Sequence, residues 1–193
     1  MNDLGIPLLA TTALEASWGA GEPLVFLGEW CRLYDRRAVW TQRRHSVIGY
    51  HWDDRDKLRA DHDRLKVLHG RLLDALAPAL NAYHDIERPR RYWQMLLDPW
   101  LLTYVATVWD RWECLRAAFD AHAALRTLAL APAGDAAGWR DYNDFIEDIL
   151  QDPWNHRLCL DILRTHYAER CRIEERRGDA PRSACAGCRG TAG

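Results

Sequence analysis

The chain has 193 residues, 48% of them apolar, with 26 basic and 28 acidic side chains and a net charge of -2. That length suits one domain with a sizeable core. The composition excludes a chain that is disordered throughout, and the charge balance excludes a protein held to nucleic acid by bulk charge.

The opening, MNDLGIPLLATTALE, has no basic segment leading into a long apolar one, so no secretory signal is expected. Residues 24–27, apolar and bounded by Pro23 and Gly28, predict a buried strand of a parallel sheet. Residues 46–50 (SVIGY) predict a second, weaker strand. From residue 58 onward Leu58, Leu65, Leu68, Leu72, Leu76 and Leu80 recur at helical spacing and share one face. Asp53 or Asp54 suits the N-cap of that helix, and Pro78 is expected to bend it or end it early. A further helix is expected from Pro89, with Trp93, Leu96 and Leu97 inside. Asp98-Pro99 predicts a fresh helix start or a kink, followed by a strongly apolar stretch to Phe119. Residues 127–130 predict a strand, residues 131–138 (APAGDAAG) a loop, and Asn143 or Asp144 the start of a helix through Leu150. Asp152-Pro153 repeats the cap-plus-proline pattern before WNHRLCLDILRTHY.

The class expected is therefore α/β, a helix-rich Rossmann-like domain with a small parallel sheet over residues 1–170. Residues 171–193 hold Ile173 as their single large aliphatic side chain, so disorder is expected there. The longest membrane candidate, residues 99–109, is far below the ~20 residues a spanning helix needs, and a cytoplasmic protein is expected. The six cysteines are then read as free thiols. Cys185 and Cys188 form a CxxC without the second ligand pair or the strand–helix setting that zinc or redox chemistry requires.

Ten tryptophans against three phenylalanines require polar seams in the core, because each indole N–H needs a partner. Two seams point to chemistry. Glu29 follows the first predicted strand and its glycine, where ligands of open α/β sheets bind. Beside Trp30 its carboxylate could serve as a general base, or simply pair with Arg32 or Arg36. After the second strand, His51, Asp53, Asp54 and Arg55 offer an imidazole, two carboxylates and a guanidinium, equally readable as a site or as a capped helix start. No metal is expected from so small a cluster. Trp154, Asn155 and His156 open a helix, where an anion contact competes with ordinary packing. No GxGxxG, GxxxxGK[ST], GxSxG or HExxH motif occurs, which removes the usual dinucleotide, P-loop, hydrolase and zincin signatures.

Six ordered segments carry a resemblance: LATTALEASW (9–18), EPLVFLGEWCRLY (22–34), YHWDDRDKL (50–58), RYWQMLLDPWL (91–101), WDRW (109–112) and DYNDFIEDILQDPWNH (141–156). Over residues 8–167 the chain resembles the N-terminal part of transferases encoded in bacterial O-antigen and other surface-polysaccharide clusters. The resemblance implies the first half of a two-domain, GT-B-type glycosyltransferase, with a nucleotide sugar as co-substrate, no other cofactor and a saccharide acceptor. From the residues themselves, Glu29, Asp53 or Asp54 is expected as the base and Trp30, His51 and Arg55 as substrate contacts, and the resemblance puts Glu29 and the 51–55 cluster on the acceptor side of a cleft. It also implies a C-terminal donor-binding half missing from this chain, and a place in the cytoplasm compatible with peripheral association at the inner face of the membrane. Past Tyr167 the composition resembles a shifted GC-rich frame, so a truncated or frame-shifted product is expected. A non-catalytic helical domain that pairs with a separate chain is the alternative expectation.

Overall fold

The computed structural model describes residues 5–131 and 138–176. Five short strands carry the architecture: β1 (Leu8–Ala10), β2 (Leu24–Phe26), β3 (His45–Val47), β4 (Leu125–Leu130) and β5 (Cys171–Arg176). They form one parallel sheet in the order β3-β2-β1-β4-β5, with Leu8 opposite Leu24 and Phe26 opposite Val47. β1 and β2 are apolar on both faces and essentially inaccessible, as the centre of a parallel sheet covered by helices requires. The α/β, helix-rich class is as expected.

The helices are α1 (Arg37–Trp40), α2 (Arg55–His84), α3 (Arg90–Ala121), α4 (Tyr142–Ile149) and α5 (Asp152–His166). The C-terminal part of α3 supplies Cys114, Leu115, Ala118 and Phe119 to the core around the sheet, and α5 adds Cys159, Ile162 and Leu163. A second, separate core lies between α2 and the first part of α3, built from Leu73, Ala77, Trp93, Leu101 and Val105. No helix among the described residues is long and apolar enough to cross a membrane.

Of the two expected caps of α2 the structure selects Asp54, while other local expectations are corrected. Asp54 alone caps α2, accepting from the amides of Asp56 and Lys57 at 2.9 and 3.1 Å. Pro78 does not end that helix, which runs to His84 and closes on Asp85 in the left-handed region (φ 52°). Likewise Asp98-Pro99 starts no new helix, since α3 continues through it. Both prolines face solvent, so each forfeits a backbone bond on the wet side while the facing helix holds the buried side. At the start of α5 the proline stands as expected, but Asp152 accepts from the Ala13 amide instead of capping its own helix.

Two strands carried no clear sequence signal. β1 is as short as β2 but runs on into Thr11, Thr12 and Ala13, with no glycine or proline to bound it on that side. β5 lies in the stretch expected to be disordered from 171, yet it pairs with β4 from Leu125↔Cys171 to Leu130↔Arg176. Charged residues dominate it because it is an edge strand, and its backbone ladder holds it, with Cys171 buried in the core and Ile173 packed against that core. Arg126 of β4 bridges to Glu174 at 3.3 Å and to Glu22 at 2.6 Å. The expected strand at residues 46–50 starts one residue earlier and ends at Val47. Residues 177–193, with Cys185 and Cys188, and most of the expected 131–138 loop lie outside the described residues.

Candidate functional site

All five strands point the same way, so their carboxyl ends share one edge of the sheet. The chain passes from β1 to β2 and β3 on one side, then returns to β4 on the other. The β1/β4 boundary is thus the topological switch point, the place where open α/β sheets take ligands.

Immediately past β1, Thr11 organises this edge. Its carbonyl accepts from Trp30 Nε1 at 3.1 Å, and its Oγ1 lies 2.8 Å from His156 Nδ1. His156 Nε2 accepts from the Leu130 amide at the end of β4 at 3.3 Å, so Nδ1 carries the ring proton and donates to Thr11. Burial lowers the pKa of His156 to about 4, leaving a neutral ring that ties β1, β4 and α5 together. Trp30 in turn depends on Gly28, where a Cβ would fall 2.1 Å from the indole ring.

Above Trp30 sits Arg111 of α3, its guanidinium carbon 4.9 Å from the ring centroid. Arg111 Nε donates to Asn155 Oδ1 at 2.9 Å, and Nη1 donates to Asp110. Asn155 Nδ2 is anchored on the carbonyls of Ile149 and Gln151. Asp110 also accepts from His51 Nε2 at 3.0 Å. Burial first, and then the charge of Asp110, raise the pKa of Tyr50, whose ring lies edge-on to Trp30 at 6.3 Å.

Behind His51 lies a second layer of charge. Lys57 Nζ sits 2.5 Å from Asp61 Oδ2 and 2.7 Å from Glu113 Oε2, and Trp52 Nε1 donates to Asp61 at 3.0 Å. Burial disfavours the ionised carboxylates, but the bonds from Lys57 and Trp52 to Asp61, and from Arg116 and then Lys57 to Glu113, outweigh it and lower both pKa values. His51, Asp61 and Glu113 offer ligand atoms within 4.8 Å of one another, as do His51, Asp110 and Cys114. In the first group the Lys57 ammonium already occupies the space between the carboxylates. In the second, Arg111 neutralises Asp110. A metal ion would fit the first only by displacing Lys57.

Of the expected site residues, Trp30 and His51 are brought to this edge, His51 with a side chain only 4% exposed. Glu29 stands beside them in the turn after β2 with a side chain 73% exposed, and both its oxygens accept from Arg32, at 2.6 and 3.2 Å. Asp53 and Arg55 are exposed, and Asp54 is engaged as the cap of α2. The structure therefore surrounds His51 with Asp61 and Asp110 rather than with Asp53 and Asp54. Tyr50, Asp61, Asp110, Arg111 and Glu113 went unread. For Asp110 and Glu113 the signal is two acids within the largely apolar Trp100–Phe119 stretch, since a buried charge is rarely retained without a partner; Tyr50, Asp61 and Arg111 carry no such local signal.

The sequence model of the LIC12162 family of transferases matches residues 7–186. The chain belongs to that family. The match covers the sheet, all of the edge residues described above and β5, and it extends past residue 167, where the resemblance was expected to stop. Neither the curated proteins nor the solved structures contain a match.

Proposed function

We propose that this transferase-family chain contributes to glycosyl transfer from a nucleotide sugar to a saccharide acceptor in surface-polysaccharide synthesis, with the acceptor at the carboxyl edge of the sheet. The observation that supports this reading is the convergence at the switch point of Trp30, Tyr50 and Arg111 on a buried frame of His51, Asp110 and Asn155. Flat aromatic faces suit sugar rings, and the polar groups between them suit hydroxyls. The acceptor oxygen attacks the anomeric carbon. As that C–O bond forms, the bond from the anomeric carbon to the phosphate oxygen breaks, its electron pair leaving with the nucleoside diphosphate. The hydroxyl proton passes to Glu29, the most accessible carboxylate beside Trp30, with Asp53 as the alternative acceptor. Arg55 and Trp30 contact substrate, whereas His51 is a positioning residue acting through Asp110.

The test is release of nucleoside diphosphate from a panel of UDP-, GDP- and dTDP-sugars offered with saccharide acceptors. Glu29→Gln is expected to lower turnover by about tenfold or more while the melting temperature stays unchanged. Unaltered turnover would return Glu29 to its surface ion pair, and no release from any donor–acceptor pair would sink the transfer reading. A second reading, a helical interaction domain for a separate chain, draws on the exposed Tyr92, Met95, Leu96 and Leu102 of α3. It predicts a stable complex with a partner and no donor consumption.

A further inference from the structure

Arg111 differs from the other buried-edge groups in having bonds left over. Its Nε is committed to Asn155 and its Nη1 to Asp110, while its face rests on Trp30. Among the described residues nothing bonds Nη2, and that nitrogen is not one of the buried, partnerless atoms. The side chain retains 18% exposure. Nη2 therefore reaches solvent from a guanidinium whose orientation is set on three sides.

The counter-charge is also incomplete. Asp110 divides its oxygens between Arg111 and His51 and lies against the Tyr50 phenol. A carboxylate shared in this way leaves positive potential on the free edge of the guanidinium. A planar donor edge, preorganised and flanked by aromatic rings, is the arrangement that binds phosphate or carboxylate oxygens. Preorganisation matters because less side-chain entropy is lost when the ligand arrives.

We propose that Arg111 is the anion-binding residue of this edge, its Nη2 taking an oxygen of a phosphate or carboxylate group on a substrate, with Asn155 as its positioning residue. The inference rests on the transfer reading for its biological ligand, but the binding chemistry is testable by itself. Two sources could supply the anion, the diphosphate of a donor or an acidic group on an acceptor sugar.

Calorimetric titration of the full chain with inorganic pyrophosphate, UDP and glucuronate separates them. Binding of pyrophosphate and UDP assigns the donor side, and binding of glucuronate alone assigns the acceptor side. In either case Arg111→Lys is expected to weaken binding by about tenfold or more, because one ammonium cannot bond Asp110 and Asn155 and still face outward. Asn155→Ala frees Nε and is expected to cost about threefold, and it is the deciding variant if Arg111→Lys does not fold. Binding of none of the three probes by the wild-type chain overturns the proposal. So does wild-type affinity in a folded Arg111→Lys or, where that variant is unfolded, in Asn155→Ala. A chain that binds pyrophosphate through Arg111 yet consumes no nucleotide sugar defeats the transfer reading alone. A chain that transfers sugar with Arg111→Lys at unchanged KM defeats this inference alone.

Discussion

The two parts of α3 belong to the same helix but do different work. From Arg90 to Val105 it pairs with α2 through Trp93, Leu101 and Val105, and its outer face leaves Met95 70% and Leu96 57% exposed. From Asp110 to Phe119 it lies on the sheet, and there it buries Asp110 and Glu113 among Cys114, Leu115 and Ala118. The first part is stabilised by apolar periodicity, which tolerates repacking. The second holds charges in a dry setting, where each depends on a particular partner. Buried polarity at the carboxyl edge thus marks where geometry is held tightly, and the hairpin end marks where it need not be.

Substitutions should separate the two parts. Asp110→Ala leaves Arg111 and His51 without their shared carboxylate, and a loss of about 3–5 kcal/mol in urea unfolding is expected. A loss below about 1 kcal/mol would show that water replaces the carboxylate and that the edge is not rigidly built. Leu73→Ala empties part of the hairpin core, at about 2–3 kcal/mol, near the lower end for such truncations because its neighbours Leu68, Leu72 and Leu76 are only partly buried and can close in. Anion binding at Arg111 should survive that change. Its loss would mean that the two parts of α3 are coupled after all.

Acidification tests the edge through His156. His156 binds a proton near pH 6.5 when unfolded and only near pH 4 when folded. The unfolded state therefore holds more protons in that window, and stability, full above pH 6.5, falls as the pH drops towards 4. At pH 5 the loss is about 2 kcal/mol. Asp61 and Glu113, with lowered values, add their own losses below the ordinary carboxylate range. His156→Gln should flatten the melting curve between pH 6.5 and 5, and a retained slope would assign it to another group. The smallest effect falls on Glu29→Gln, whose exposed pair with Arg32 contributes under about 0.5 kcal/mol to stability. It is a change to be seen in turnover, not in melting.

The elements legible beforehand were those whose pattern is local and long. The leucine series of α2, the cap at Asp54 and the apolar run of β2 are written in consecutive residues and needed no partner to be recognised. β1 and β5 were not, because β1 runs on into Thr11 and Thr12 with no turn residue to mark its end and four of the six residues of β5 are charged, so each is made a strand by the neighbour that completes its backbone bonds. The site divides in the same way. Residue type and position after a predicted strand singled out Trp30, His51 and Glu29 from sequence alone. The partners of His51, however, came from 10 and 59 residues along the chain, as Asp61 and Asp110, rather than from the adjacent aspartates. Asn155, 44 residues beyond Arg111, orients its guanidinium, and His156 reaches back 145 residues to Thr11. The sequence by itself determined which helices and strands could form and which side chains could carry chemistry. Only the tertiary structure decided which of them meet, because ion pairs and hydrogen bonds act over a few ångströms in space while the residues that make them lie anywhere along the chain.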